Sequence, residues 1–134
     1  MKALQSVNRI AFDASAVLAL LQQEPGAEKL TEEIRINAVA STVNLAEVQS
    51  KLVKKGVPPE RAWANTLSAI AKAEPFTSRQ ANIAGSLIAK TEKLGLSLGD
   101  RACLALAIAL KAEVYTTEQI WKGLKVGVPI HVIR

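Results

Sequence analysis

The chain has a single cysteine (Cys103), a single histidine (His131) and only two aspartates (Asp13 and Asp100) in 134 residues. That poverty excludes a structural zinc site, which needs about four Cys or His ligands, and a disulfide framework, which needs paired cysteines. A reducing, cytoplasmic setting fits. Long apolar runs are missing too: Ala14–Leu21, interrupted by Ser15, and Ala102–Leu110 fall short of the roughly 20 residues that cross a bilayer, so no membrane span is expected. Met1–Arg9 lacks the apolar stretch and small-residue cleavage site of a secretory signal. There is no internal repeat, no low-complexity segment and no glycine-rich phosphate loop of the GxGxxG or GxxxxGK type, which sets aside an ordinary nucleotide-binding protein.

What is present is a globular composition, 49% hydrophobic and 22% charged, with a net charge of +5 that favours polyanionic partners such as nucleic acid. The length suits one domain over residues 1–134. Four short apolar runs, Arg9–Phe12, Ala38–Ser41, Glu113–Thr116 and Ile130–Ile133, lack polar alternation, as strands buried on both faces do. Pro75–Thr77 is a candidate fifth strand. Helical periodicity fills the intervals: Ser15–Gln22, Ala27–Arg35, Val43–Lys55, Pro59–Ala73, Arg79–Leu94 and Gly99–Lys111. Gly56 stops the third helix and Pro58-Pro59 opens the fourth. Strands alternating with helices predict an α/β fold, a parallel central sheet of four to five strands between helical layers.

The last of these helices has no polar face, so Cys103 reads as a small core residue, and His131 reads as a strand residue. The carboxylates are more telling. Asp13 directly follows the first strand, Glu118 follows the Val114–Thr116 strand, Glu47 lies one turn into the helix after the second strand, and Asp100 opens the apolar helix. Ligands of open parallel sheets bind beyond the carboxyl ends of the strands, so four carboxylates are expected on one edge. Such a cluster is self-repelling unless a cation offsets it, and an all-oxygen donor set selects Mg²⁺ or Mn²⁺. Each group also has a plain local role: Asp13 and Asp100 suit helix N-caps, Glu47 stands one turn before Lys51, and Thr116 or Thr117 could cap a short helix holding Glu118.

The ordered set resembles the PIN-domain ribonucleases, and most closely the VapC-like toxins of type II toxin–antitoxin pairs. The likeness runs along nearly the whole chain. It is carried by Phe-Asp-Ala-Ser-Ala-Val-Leu-Ala-Leu-Leu around Asp13, Ser-Thr-Val-Asn-Leu-Ala-Glu-Val around Glu47, Leu-Ser-Leu-Gly-Asp-Arg-Ala-Cys around Asp100, and Val-Tyr-Thr-Thr-Glu-Gln-Ile-Trp, with Thr116, Glu118 and Trp121 in register. One departure is Glu118, where the family most often has aspartate.

The resemblance implies a three-layer α/β/α PIN-like fold and metal-dependent hydrolysis of an RNA phosphodiester. Asp13, Asp100, Glu47 and Glu118 would be the metal and catalytic residues, with Ser15 and Thr116 hydrogen-bonded behind them. Arg101, Lys51, Lys54 and Lys55, together with Arg79 and Lys122, are the candidates for RNA contact; each could equally be ordinary solubilising charge. The stripe Trp63, Leu67 and Ile70 reads as core packing, and the resemblance adds an expected groove, lined by this helix and the second, for an antitoxin, and a homodimer. The alternative is a catalytically weak PIN domain that serves as an RNA- or protein-binding module.

Overall fold

Ile10, Ala11 and Phe12 form a strand (β1) buried on both faces, and the two faces feed separate cores. Ile10 and Phe12 pack with Val17, Val48 and Leu52, whereas Ala11 packs with Cys103, Leu104 and Leu106 on the other side. Two apolar layers around one strand require a helical layer on each side of the sheet. The structure, a computed structural model, describes residues 9–134, so the segment tested for a secretory signal lies, apart from Arg9, outside the described residues.

The strands are β1 (Ile10–Phe12), β2 (Ala38–Ser41), β3 (Lys72–Glu74), β4 (Glu113–Thr116) and β5 (Ile130–Val132). All pair in parallel in the order β3-β2-β1-β4-β5. The helices are α1 (Ala14–Gln22), α2 (Glu32–Arg35), α3 (Thr42–Lys54), α4 (Pro59–Ser68), α5 (Ser78–Ser86), α6 (Ile88–Thr91) and α7 (Leu98–Leu110). This is the expected three-layer α/β/α arrangement. Gly56, with φ of 101°, closes α3 with Val57 N–H bonded to the Leu52 carbonyl at 3.1 Å, the turn that glycine after a helix provides. Pro59 then takes the first helical position of α4. Among the described residues no helix is long and apolar enough to cross a membrane.

Four expectations on the elements need correction. The helix predicted over Pro59–Ala73 ends at Ser68, and the fifth strand is Lys72–Glu74, just before the Pro75–Thr77 run proposed for it. Ile70 therefore leaves the helical stripe and packs into the core from the turn before β3. The span Ala27–Arg35 divides into a 3₁₀ turn, Ala27–Lys29, and α2, because Thr31 accepts a hydrogen bond from Ile34 N–H and starts a new helix. Arg79–Leu94 likewise breaks at Leu87 into α5, α6 and a 3₁₀ turn, Glu92–Leu94. Cys103 is fully buried in α7 and His131 lies in β5, both as expected.

The strand order carries the functional consequence. The chain leaves β1 toward β2 on one side and reaches β4 on the other, so the β1/β4 junction is the point where winding reverses. In open parallel sheets the crevice beyond the carboxyl ends of two such strands is the usual ligand position. Asp13 sits directly past β1 there, and Thr116 ends β4.

Candidate active site

Asp13 is the N-cap of α1, with one oxygen taking the Ala16 N–H at 2.8 Å. Its remaining partners come from across the junction. Thr116 Oγ1 donates to Asp13 Oδ2 at 2.6 Å, and Ser15 Oγ lies 2.7 Å from Oδ1 and 2.9 Å from Oδ2. Both hydroxyls are oriented by the backbone behind them: Thr117 N–H donates to Ser15 Oγ at 2.9 Å, and Glu118 N–H to Thr116 Oγ1 at 3.0 Å. Each oxygen already accepts from an amide, so each hydroxyl proton points at the carboxylate. Ser15 and Thr116 are thus both hydrogen-bonded to the Asp13 carboxylate.

These donors do not offset the loss of water. Asp13 is 3% exposed, and burial pushes its carboxyl from an ordinary 3.8 up to about 6 against the lowering by Thr116, Ala16 and Ser15; the negative charge of Asp100 adds to the rise. The capping role of Asp13 and a site role are therefore one arrangement. A carboxylate offers about four lone-pair positions, and three protons leave one open.

Asp100 opens α7 in a reciprocal cap: its Oδ2 accepts the Ser97 N–H at 2.9 Å while its own N–H donates to Ser97 Oγ at 3.1 Å. Glu47 projects from the second turn of α3 toward the start of α7. Its expected partner, Lys51, is not the one it takes: Oε1 accepts from Asn44 Nδ2 at 3.0 Å, and the described ion pairs are Lys72–Glu74, His131–Glu113 and Arg134–Glu24. The charges of Asp13, Asp100 and Glu47 all reach the buried Cys103 thiol and, after desolvation, push its pKa up. That thiol stays protonated, as a core residue should.

Three of the four predicted carboxylates thus lie near the first turns of α7: the charge of Asp100 acts on Asp13, all three act on Cys103, and none has an ion-pair partner among the described residues. They do not form a closed cage: among the described residues no three His, Cys, Asp or Glu side chains are grouped as a ready metal site. Each is held by its own donor, Asp100 on Ser97 and Glu47 on Asn44. The donor chemistry fits a hard divalent cation, since every available atom is a carboxylate oxygen and the local charge is uncompensated. Glu118 stands apart: it is exposed and its carboxylate caps nothing.

The basic residues divide. Arg101 is not splayed toward solvent: Nη1 donates to the Ala84 carbonyl at 2.9 Å, tying α7 to α5, and its Nε is buried. Arg79, in the first turn of α5, and Lys122, past β4, are exposed on the carboxyl-end side of the sheet. Lys51, Lys54 and Lys55 lie toward the opposite end; Lys54 follows Glu47 by two turns of α3, about 10 Å along the axis. With Leu18, Gln22 and Glu24 they line a cleft of about 350 Å³.

Two residues that sequence reasoning passed over belong to this site. Asn44, 1% exposed, donates through Nδ2 to Glu47 Oε1 and, at 2.9 Å, to the Gly99 carbonyl. Gly99 leaves room for the Glu47 carboxyl: a Cβ there would lie 2.6 Å from Glu47 Cδ. The available signals were the three-residue spacing of Asn44 and Glu47 on one helix face and a glycine inside a first helical turn.

The PIN domain family matches residues 10–125. No curated protein sequence matches. Among solved structures, DNA-bound VapBC from Salmonella typhimurium aligns with a TM-score of 0.71 at 16% identity, covering 92% of this chain and 97% of that one. VapC20 of Mycobacterium tuberculosis, a sarcin-ricin loop cleaving toxin, aligns at 0.70 and 18%, covering 90% and 98%. VapBC2 from Rickettsia felis, bound to a promoter DNA fragment, aligns at 0.68 and 21%, covering 90% and 96%. At such identities the likeness is one of fold, and it agrees with the topology described above. With the family match spanning residues 10–125, it places this chain in the PIN domain family.

Proposed function

We propose that this protein is a divalent-metal-dependent endoribonuclease that hydrolyses RNA phosphodiester bonds, and that it is the toxin of a toxin–antitoxin pair. The observation that carries the reading is the gathering of Asp13, Glu47 and Asp100 near the start of α7, with no ion-pair partner among the described residues. When bound, Mg²⁺ or Mn²⁺ supplies a water of lowered pKa and offsets charge developing on the phosphate. Asp13 and Asp100 would hold the ion, Glu47 would hold it or orient the attacking water, and Glu118 would contribute from the exposed rim. Ser15 and Thr116 keep the Asp13 carboxylate aimed, and no covalent intermediate on the protein is required. RNA phosphates would be met by Arg79 and Lys122 near the site and by Lys51, Lys54 and Lys55 at the far end of α3.

The partner reading rests on a cleft of about 580 Å³ between the end of α1, the Ala27–Lys29 turn, Arg35 of α2 and Ser68–Ala69 past α4. Arg35, Ser68 and Ala69 continue it into a neighbouring cleft of about 380 Å³ beside Ile36, which is 63% exposed. The cleft takes in the expected second helix and the end of α4, together with α1, but not Trp63 or Leu67 of the expected groove. A homodimer completes the proposal. The test is incubation of purified, partner-free protein with end-labelled RNA in Mn²⁺, Mg²⁺ or EDTA, with Asp100→Asn as the control for contaminating nuclease. Metal-dependent cutting that disappears in Asp100→Asn supports the reading. Binding of RNA without cutting under every condition would favour a PIN domain serving as a binding module.

A further inference from the structure

We propose that Asn44 and Gly99 form a clip that sets the position of the Glu47 carboxylate; the proposal rests on the metal-site reading above. The Asn44 amide is oriented unambiguously, because both groups that its Nδ2 meets, Glu47 Oε1 at 3.0 Å and the Gly99 carbonyl at 2.9 Å, are acceptors. One NH₂ group therefore separates two acceptors that would otherwise repel, and it ties α3 to the first turn of α7 across 55 residues of chain. The carboxyl lies against the bare Cα of Gly99: a Cβ there would overlap Oε2 and sit 2.6 Å from Cδ and Oε1, so any side chain at 99 would push the flexible Glu47 carboxyl out of this position. Gly99 is needed here for space, since its φ is not in the left-handed region.

A further observation ties the clip to a ligand. Asn44 Oδ1 is buried and has no hydrogen-bond donor, and a buried acceptor left bare is costly. It lies in the same amide that holds Glu47, beside the carboxylate cluster, where a water carried by a hydrated divalent ion would satisfy it. Asn44 and Gly99 are thus positioning residues: they act on the ion through Glu47 and through a water, without touching substrate.

The test measures Mn²⁺ affinity by titration calorimetry and by the metal-induced rise in Tm, with no RNA present. Asn44→Ala and Gly99→Ala are each expected to weaken Mn²⁺ binding about tenfold or more, the size typical of groups that orient a ligand. The decisive arm repeats Gly99→Ala in a Glu47→Ala background, where the clashing carboxyl is gone; there the glycine substitution is expected to change Mn²⁺ affinity little. The non-additivity holds even if Asn44→Ala fails to fold. If Glu47→Ala weakens Mn²⁺ binding while Asn44→Ala and Gly99→Ala bind like the parent protein, the clip is wrong and the metal reading stands. If Glu47→Ala itself binds Mn²⁺ like the parent, Glu47 is no ligand and both ideas fall.

Discussion

The two ends of the sheet differ in charge and in burial. At the carboxyl ends of β1 and β4, Asp13, Glu47 and Asp100 gather negative charge in a partly buried place, each held by a short local donor. Toward the other end, the last turns of α3 put Lys51, Lys54 and Lys55 into solvent, and open clefts run between α1, α2 and the end of α4. Cations near a helix C-terminus are favourable, so those lysines cost the fold nothing. The carboxylates are different, because a buried Asp13 with its pKa raised to about 6 lowers the stability of the metal-free protein at neutral pH. The proposed chemistry is assigned to the first end for that reason, and proposed binding to the second.

The comparison breaks most sharply if the carboxylates can be removed without loss. Asp13→Asn and Asp100→Asn are each expected to lower RNA cleavage by more than about a hundredfold, beyond the cost of losing a group that only orients a ligand, with the circular dichroism of the parent retained. Comparable activity in either variant would remove that residue from the site.

Next in size is stability. Because the folded pKa of Asp13 lies above its unfolded value, the native state takes up more protons between about pH 4 and pH 6. Stability of the metal-free protein is therefore highest below that window and falls as pH rises through about 6. The loss is on the order of 3 kcal/mol at 1.36 kcal/mol per pH unit. Denaturation in EDTA at pH 4.5 and pH 7 captures about 2 kcal/mol of it. Asp13→Asn should flatten the dependence and be more stable than the parent at pH 7.

The binding end predicts a smaller effect. Replacing Lys51, Lys54 and Lys55 together by Gln should raise KM for RNA several-fold, leave kcat unchanged, and flatten the salt dependence of binding by about two log units per log unit of salt if all three meet phosphates. An unchanged salt slope would confine RNA to the carboxyl-end side. The smallest expected effect is that of Glu118→Asp. Glu118 is exposed and free of the buried network, so cleavage should change no more than a few-fold; a large gain would mean that the longer side chain has degraded the site.

Much of this was legible in the sequence, and the reasons are local. The placement of Asp13 and Asp100 at helix starts could be read because a strand end, a hydroxyl-rich turn and a helix start are short-range patterns. Strands β1, β2 and β4 could be read because burial on both faces leaves uninterrupted apolar runs. Strand β3 could not: Lys72-Ala73-Glu74 is an edge strand with little buried surface, and the apolar residues Leu67 and Ile70 continue a helical period past the true end of α4. The break at Leu87 was signalled only by Gly85-Ser86 just before it, which an otherwise helical period overrode. Arg101 looked free beside Asp100, and only the packing of α5 on α7 reveals its bond to Ala84. Asn44 and Gly99 were hidden for the same reason, since their meeting depends on how α3 and α7 cross.

The central claim, that the trio is completed by a divalent cation, is tested most directly by titrating Mn²⁺ into metal-free protein at pH 7 and following Tm. The account predicts a saturable rise in the parent protein that is lost in Asp13→Asn, although that variant starts from the higher Tm. Parent and variant responding alike, or neither responding, would contradict it.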